Sequence, residues 1–424
     1  MGLIKLSVEE MFMSLKQLLL TTIIITTGIV LTIFALYYAQ ISEFEQRICD
    51  DTLTYGNSRT GYIDVEDFSD EDKMKFYEDV KNIEGINNVG FFYLDEKSSV
   101  REVSKIQTKN SLILKELDKF FKAKGKTEVN VMYSLANVCD IKLEDGATIE
   151  EPKDDHTVYM YLGNGISEIP IGTQYTKEQF FYDEDGKMVK EDVTYIVKGH
   201  MKKGQKWLAE DVYETDGDGD FYYDLHYGVI NVRCNTSIYT KSHMFFSIND
   251  ESDWNSIREK ICNIAEKYDN NILLSKLDYV FDKVVKNKKA ENKFIFQLAI
   301  IVMISVVFIQ ICIQSSRVIN NKTKYAIFFS NGLTPENVIG MLVMENLFKW
   351  ITSFVVAMGI IFWFLYSQFY DYPEYITRMV ECFREFVLWP TIGISLGVMI
   401  VGMIFPVVVI GKMAPSKLIK ELGE

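Results

Sequence analysis

Proline and histidine are scarce in this chain, with 7 and 4 among 424 residues. The four histidines, His156, His200, His226 and His243, form no H-E-x-x-H pair, and no G-x-S-x-G is present. The six cysteines, Cys49, Cys139, Cys234, Cys262, Cys312 and Cys382, include no C-x-x-C pair, so the spacing for a zinc site is missing. GHMKKGQK, Gly199 to Lys206, has two glycines at P-loop separation but Gln205 where the phosphate-binding lysine belongs. These absences leave no catalytic residue to name and no cofactor on the chain itself. The expectation is a non-enzyme. From about Leu273 to Ser316 there is neither glycine nor proline, so nothing in that stretch interrupts a helix.

Charge is missing from the middle of four long segments. They run from Leu18 to Ala39, Phe294 to Ile313, Asn346 to Tyr366 and Phe386 to Ile410. Each reaches the roughly 20 residues needed to cross a hydrocarbon core of about 30 Å. Lys349, near the start of the third, has a stem long enough to reach the interface. The first segment is too long for a signal-peptide core and lacks a small-residue cleavage site, so a retained helix is expected. Tyr37 and Tyr38 fit interfacial anchoring. Without mid-span charge, an ion or proton pathway through the spans is not expected. The mean hydropathy of +0.02 is what four such spans and a polar domain average to.

Lysine and arginine near the span ends set the orientation. Lys5 and Lys16 precede span one, Arg317, Lys322 and Lys324 follow span two, and Lys412, Lys417 and Lys420 follow span four. Alternating spans place all three flanks on the cytoplasmic side of a cell membrane, with both termini inside. Residues 41 to 293 then lie outside and hold 49 acids against 34 bases, a balance of −15. The whole chain carries −14, so the acidity belongs to the outer region. Nucleic acid is not an expected partner. A cationic peptide would suit such a surface, though a solvated acidic face is the simpler reading.

The expected fold class is a membrane protein with four transmembrane helices and a large α+β extracellular domain between helices one and two. Residues 1–17 read as a cytoplasmic amphipathic helix, with Ile4, Val8, Met11, Phe12 and Leu15 on one face. The first span covers 18–39 and the outer domain 41–272. In that domain, Ser69 caps a helix that Gly85 can end, and Val89 to Leu94 reads as a strand. A further helix is expected over Ser111 to Ala123, followed by the strand EVNVMYSL. Residues 142–228 read as a β-rich subdomain of their own. Val229 to Val232 and His243 to Ile248 return as strands, and Ser252 to Tyr268 as a helix. Residues 273–317 then form a stalk helix continuing into span two (294–313), with Leu277, Val280, Phe281 and Val284 as its packing stripe. A cytoplasmic loop (318–345), span three (346–366), an outer loop (367–385), span four (386–410) and a cytoplasmic tail (411–424) complete the chain.

Asp216, Asp218 and Asp220 in TDGDGDFYYD have the 1, 3, 5 spacing of an EF-hand loop. Phe221 stands where glycine is needed and Tyr227 where glutamate is needed. An acidic turn is therefore expected, with a calcium loop as the alternative. For Cys49, Cys139, Cys234 and Cys262 a disulfide is open but no connectivity is readable.

The segment KTKYAIFFSNGLTPENVIGMLVMENLFKW, Lys322 to Trp350, lies between spans two and three. Gly332 permits a tight turn after the helix carrying Tyr325 to Phe329. Thr334 suits an N-cap, Pro335 the first helical position and Glu336 the first turn. Val338, Ile339, Leu342 and Val343 continue an apolar stripe into span three. Leu333 and Val338 are expected to remain exposed as cytoplasmic contacts.

KYAIFFSNGLTPENVIGMLVMENL resembles the coupling segment of the MacB/FtsX-like ABC transporter permeases. Gly332 matches the family glycine, and Glu345 matches the glutamate near the start of the third span, while Asn331 and Pro335 are less typical. The order of one span, a large outer domain and three spans also resembles the MacB branch. So do LEDGATIEEP, VYMYLGNG, IPIGTQY and YIVKGHM in the outer region, and APSKLIKELGE after the last span. The resemblance implies a permease subunit working by mechanotransmission, as a homodimer or with a related permease. It implies a cytoplasmic ABC ATPase on a separate chain, with ATP and Mg there, an arrangement typical of Gram-positive relatives. It also implies that Tyr325, Ala326, Gly332, Leu333, Thr334, Pro335, Glu336, Val338, Ile339 and Glu345 couple to that ATPase. The expected roles are export of, or resistance to, a peptide, antibiotic or lipid-linked substrate, with an extracellular peptide or protein as a partner. Two other readings stay open: an FtsX-like activator of an extracellular cell-wall hydrolase, and a membrane receptor independent of any ATPase.

Overall fold

The structure is a computed structural model that describes residues 15–95, 128–182, 188–209, 222–226, 228–234, 243–268, 270, 272–369 and 373–412. The amphipathic stretch before residue 15, the helix expected over Ser111 to Ala123, the loop of Asp216, Asp218 and Asp220, and the tail from 413 lie outside the described residues. The chain divides into two compact units, 42–288 and 1–41 with 289–424. Two helices run through the division without a break: α1 (Leu15–Thr52) and the much later α4 (Leu277–Asn320).

The 42–288 unit is built on two sheets. The first has the order β12-β1-β11-β2, from β1 (Thr60–Asp64), β2 (Ile86–Gly90), β11 (His243–Ile248) and β12 (Leu274–Lys276), all antiparallel. On one face it carries α2 (Asp70–Lys81) and α3 (Trp254–Glu266). Phe76, Tyr77, Val80, Ile257 and Ile261 meet Ile63, Val89, Met244 and Phe246 there. Both helices begin as their sequences direct. Ser69 Oγ accepts from the Asp72 N–H at 3.1 Å, and Asp253 Oδ2 accepts from the Ser256 N–H at 2.9 Å.

The second sheet has the order β3-β4-β10-β5-β7-β6. It comprises β3 (Phe92–Asp95), β4 (Glu128–Met132), β5 (Thr157–Leu162), β6 (Gln174–Tyr182), β7 (Met188–His200) and β10 (Val229–Arg233). Pairings β4/β10 and β5/β7 are parallel. A separate ribbon joins β8 (Lys206–Leu208) and β9 (Tyr222–Asp224).

Two sequence expectations change here. Val89 to Leu94 is two strands rather than one, with β2 in the first sheet and β3 in the second. The chain switches sheets at Gly90, whose φ of 155° suits glycine, and a Cβ there would meet Ser134, Leu135 and Met132 at 3.2–3.3 Å. Apart from the β8–β9 ribbon, the described strands of 142–228 do not stand as a separate sheet either. β5 pairs with β10, which in turn pairs with β4, so its long strands extend the sheet begun by β3 and β4. Every residue of β10 is buried, as a strand with partners on both edges requires.

Between the sheets lies the larger core. Phe92 and Phe245, one from each sheet, meet in a tilted contact with centroids 4.8 Å apart. Val129, Val131, Ile230, Val232 and Trp207 join them. Cys49 from α1 and Leu277, Phe281 and Val284 from α4 enter this core too. The opposite face of the second sheet holds a buried polar ladder. Asn231 Nδ2 donates to Glu128 Oε1 at 2.5 Å, and Arg233 donates to Gln179 Oε1 and the Tyr195 hydroxyl, both at 2.8 Å.

The other unit is helical. Among the described residues, four helices are long and apolar enough to cross a membrane: 19–52, 292–320, 335–368 and 376–411. They flank the α+β region between the first and second. After α4 come α5 (Lys322–Ser330), α6 (Pro335–Phe369), α7 (Pro373–Cys382), a π-helical stretch Phe383–Val387 and α8 (Leu388–Gly411). Ile25, Ile29 and Ile33 of α1 pack with Ala357 and Ile361 of α6 and with Val387. The outer loop expected at 367–385 is thus largely helical, and α7 leads into the last span through the π stretch.

Candidate functional site: a capped loop over a buried ion cluster

The loop between α4 and α6 is closed by two caps. At the end of α5, the Gly332 N–H donates to Phe329 O and the Leu333 N–H donates to Phe328 O, both at 3.1 Å. This is the reciprocal pair of a Schellman cap. It requires a left-handed residue, and Gly332 supplies it with φ 88°. One residue on, Thr334 Oγ1 accepts from the Asn337 N–H at 3.4 Å. Pro335 opens α6 and Glu336 lies in its first turn. The stretch from Pro335 is the start of α6 and continues without a break into the third span, as its apolar stripe led one to expect.

The loop is seated on its own core. Tyr325, Ala326 and Phe329 of α5 bury against Val318, Val338, Leu342, Met403 and Ile410, so α4, α5, α6 and α8 meet there. This corrects the expectation for Val338, which is only 1% exposed and is a packing residue. Val338 lies one turn into α6 on the inward stripe with Leu342. Leu333 and Ile339 are half-buried, whereas Gly332, Thr334 and Glu336 are exposed. On α5 the large apolar side chain that faces outward is Ile327, 49% exposed. The ridge available to a partner is therefore Ile327 with the Asn331–Thr334 turn.

Beneath the loop lies a cluster that the sequence reading missed. Glu345 of α6 is 2% exposed and accepts from both Arg317 of α4 and Lys349, the latter at 2.6 Å. Gln314 Nε2 donates to Asn346 Oδ1 at 2.7 Å, and Asn346 Nδ2 donates to Leu342 O at 2.9 Å. Deeper still, Gln310 is 2% exposed and packs where Gly402 leaves room, since a Cβ there would stand 3.0 Å from Gln310 Cγ. Gln310, Gln314 and Arg317 lie at i, i+4 and i+7 on α4; Glu345, Asn346 and Lys349 face them from α6. Helical spacing of polar residues inside an apolar run was the available signal. Lys349 does not extend to an interface; its ammonium is held by Glu345, one turn back.

A buried ion cluster resists separation, because removing one member strands the others in a low-dielectric site. Arg317 precedes the loop and Glu345 follows it. The cluster thus clamps together the two helices that the loop connects. At the far end of α4, Leu277 and Phe281 are fully buried, Val284 nearly so, and Val280 partly buried in the sheet-to-sheet core. The stalk stripe is therefore a core stripe, and the helix starts at Leu277, since 274–276 is strand β12.

All six cysteines are free, and Cys49 and Cys139 share the core of the 42–288 unit. Burial pushes the Cys139 thiol up to about 12. Burial and nearby carboxylates, Asp155 first among them, raise Cys234 to about 11. Among the described residues no cluster of His, Cys, Asp or Glu has the makings of a metal site.

Comparison with protein families and with curated proteins finds no match. By helix length and composition the chain is a multi-pass membrane protein with a large non-membrane α+β domain between its first and second spans.

Proposed function

We propose that this chain is the transmembrane subunit of a mechanotransmitting ABC machine, with ATP hydrolysed by a separate cytoplasmic chain. The observation that carries the reading is α4. One unbroken helix of 44 residues begins in a sheet-to-sheet core at Leu277 and ends in the ion cluster at Arg317, next to the capped loop. Displacement of the loop is passed to α4 and α6 together, because Glu345 holds both. Along α4 it then reaches residues that are part of the outer core. Such a device moves a domain without a solvated pore. The lipid bilayer surrounds the four spans, and a second permease subunit completes the assembly. The substrate is a peptide, an antibiotic or a lipid-linked molecule handled outside the cell.

The test is co-purification of the tagged chain with cytoplasmic ATPases from its native membrane. Wild type should retain an ATPase. Ile327→Asp with Leu333→Asp should lose it while keeping the elution profile and thermal stability of wild type. Retention of the ATPase by that variant, or its absence from wild type, would refute the proposal.

A further inference from the structure

We propose that the open edge of β12 is a docking strip for an extended, carboxylate-bearing peptide segment, which binds as an added strand of the four-stranded sheet. Among the described residues β12 is the terminal strand of that sheet and pairs only with β1. The Asp64 N–H donates to Leu273 O at 2.9 Å, and the register places Tyr62 opposite Ser275. Antiparallel alternation then turns the backbone groups of Ser275 toward β1 and those of Leu274, with the Lys276 N–H, outward, while the Lys276 carbonyl is taken up by the first turn of α4. These outward groups are the template that strand addition uses.

The chemistry beside the edge selects the occupant. A groove of about 300 Å³ is lined by Trp254, Arg258, Leu274, Ser275, Lys276 and Tyr279. Two of these are cations and none is a carboxylate. Neither Arg258 nor Lys276 forms an ion pair among the described residues; Lys276 lies over the Trp254 ring, 5.0 Å from its centroid. The contrast with the surroundings is sharp, because residues 41–293 carry a balance of −15. An unpaired cationic pair in an acidic domain attracts carboxylates and repels a basic chain. Tyr279 is 68% exposed on the first turn of α4 and offers an aromatic face for an apolar side chain between the carboxylates. Peptide docking at this strip does not require the coupling role proposed for the α5–α6 loop.

The test uses the full-length chain in phosphatidylcholine nanodiscs and the fluorescence anisotropy of a neutral-dye-labelled octapeptide of alternating valine and glutamate. That peptide should bind saturably, at least about tenfold more tightly than its valine–lysine counterpart. Arg258→Glu with Lys276→Glu should reverse the preference. Methylating alternate backbone nitrogens of the glutamate peptide, which needs no variant protein, should weaken binding by about tenfold or more. No saturable binding, equal binding of the two peptides, or indifference to the charge reversal would overturn the proposal. Full binding of the methylated peptide would overturn it as well, since the edge would then not be adding a strand.

Discussion

Glu345 is the residue on which the helical unit most depends. It contacts both Arg317 and Lys349, and all three are nearly inaccessible. Glu345→Gln should destabilise the protein by about 3–5 kcal/mol, because it removes the buried carboxylate that both cations contact. Replacing Arg317, Glu345 and Lys349 together by Met, Leu and Met should recover much of that loss; thermal unfolding in detergent measures both. Cys139 makes a prediction in the other unit. Its ordinary value of 9.0 is raised to about 12, so the folded state keeps the thiol protonated where the unfolded state ionises. The associated stability is whole below about pH 9 and is lost as pH rises from there toward 12. Maleimide at pH 8 should leave Cys139 unlabelled in the native protein and label it fully after denaturation. Native labelling would show that the core is open.

At the scale of elements, the α5–α6 turn depends on one backbone conformation. Gly332 holds φ 88°, and a Cβ added to it would meet nothing within 4 Å. A substitution there is resisted by the backbone alone. Gly332→Val should cost about 1–2 kcal/mol and Gly332→Asn less, since asparagine tolerates the left-handed region. Unfolding measurements on both should show that order; equal costs would mean that the turn does not hold this conformation. Much of this element was legible in sequence, because Gly332, Thr334 and Pro335 act locally through their own dihedrals and hydrogen bonds. What was not legible depended on partners distant in the chain. Val338 reads as an exposed contact until Ile410 and Met403 of α8 cover its side of α6. Lys349 reads as an interfacial lysine until Glu345 is seen to share a pocket with Arg317, 28 residues earlier. The sheet switch at Gly90 was hidden for a similar reason. Val89 and Phe92 have the same β preference, and only long-range pairing assigns them to different sheets.

At the scale of the whole molecule, the four spans and the α+β domain between the first two were readable because length and hydropathy decide them directly. The assignment of 142–228 to a larger sheet was not, since strand order is set by pairing and leaves no mark on composition. The resulting architecture gives α4 two anchored ends, one in a β-sheet core and one in an ion cluster. Under the proposed function, a partner would engage the exposed ridge at Ile327 and the Asn331–Thr334 turn. The most direct measurement is photo-crosslinking in native cells, with benzoylphenylalanine at Ile327 and, as a control, at Ile301, which is 61% exposed in the second span. The account predicts an adduct with a cytoplasmic ATP-binding protein at Ile327 and none at Ile301. No such adduct at Ile327, or the same adduct at both positions, would contradict it.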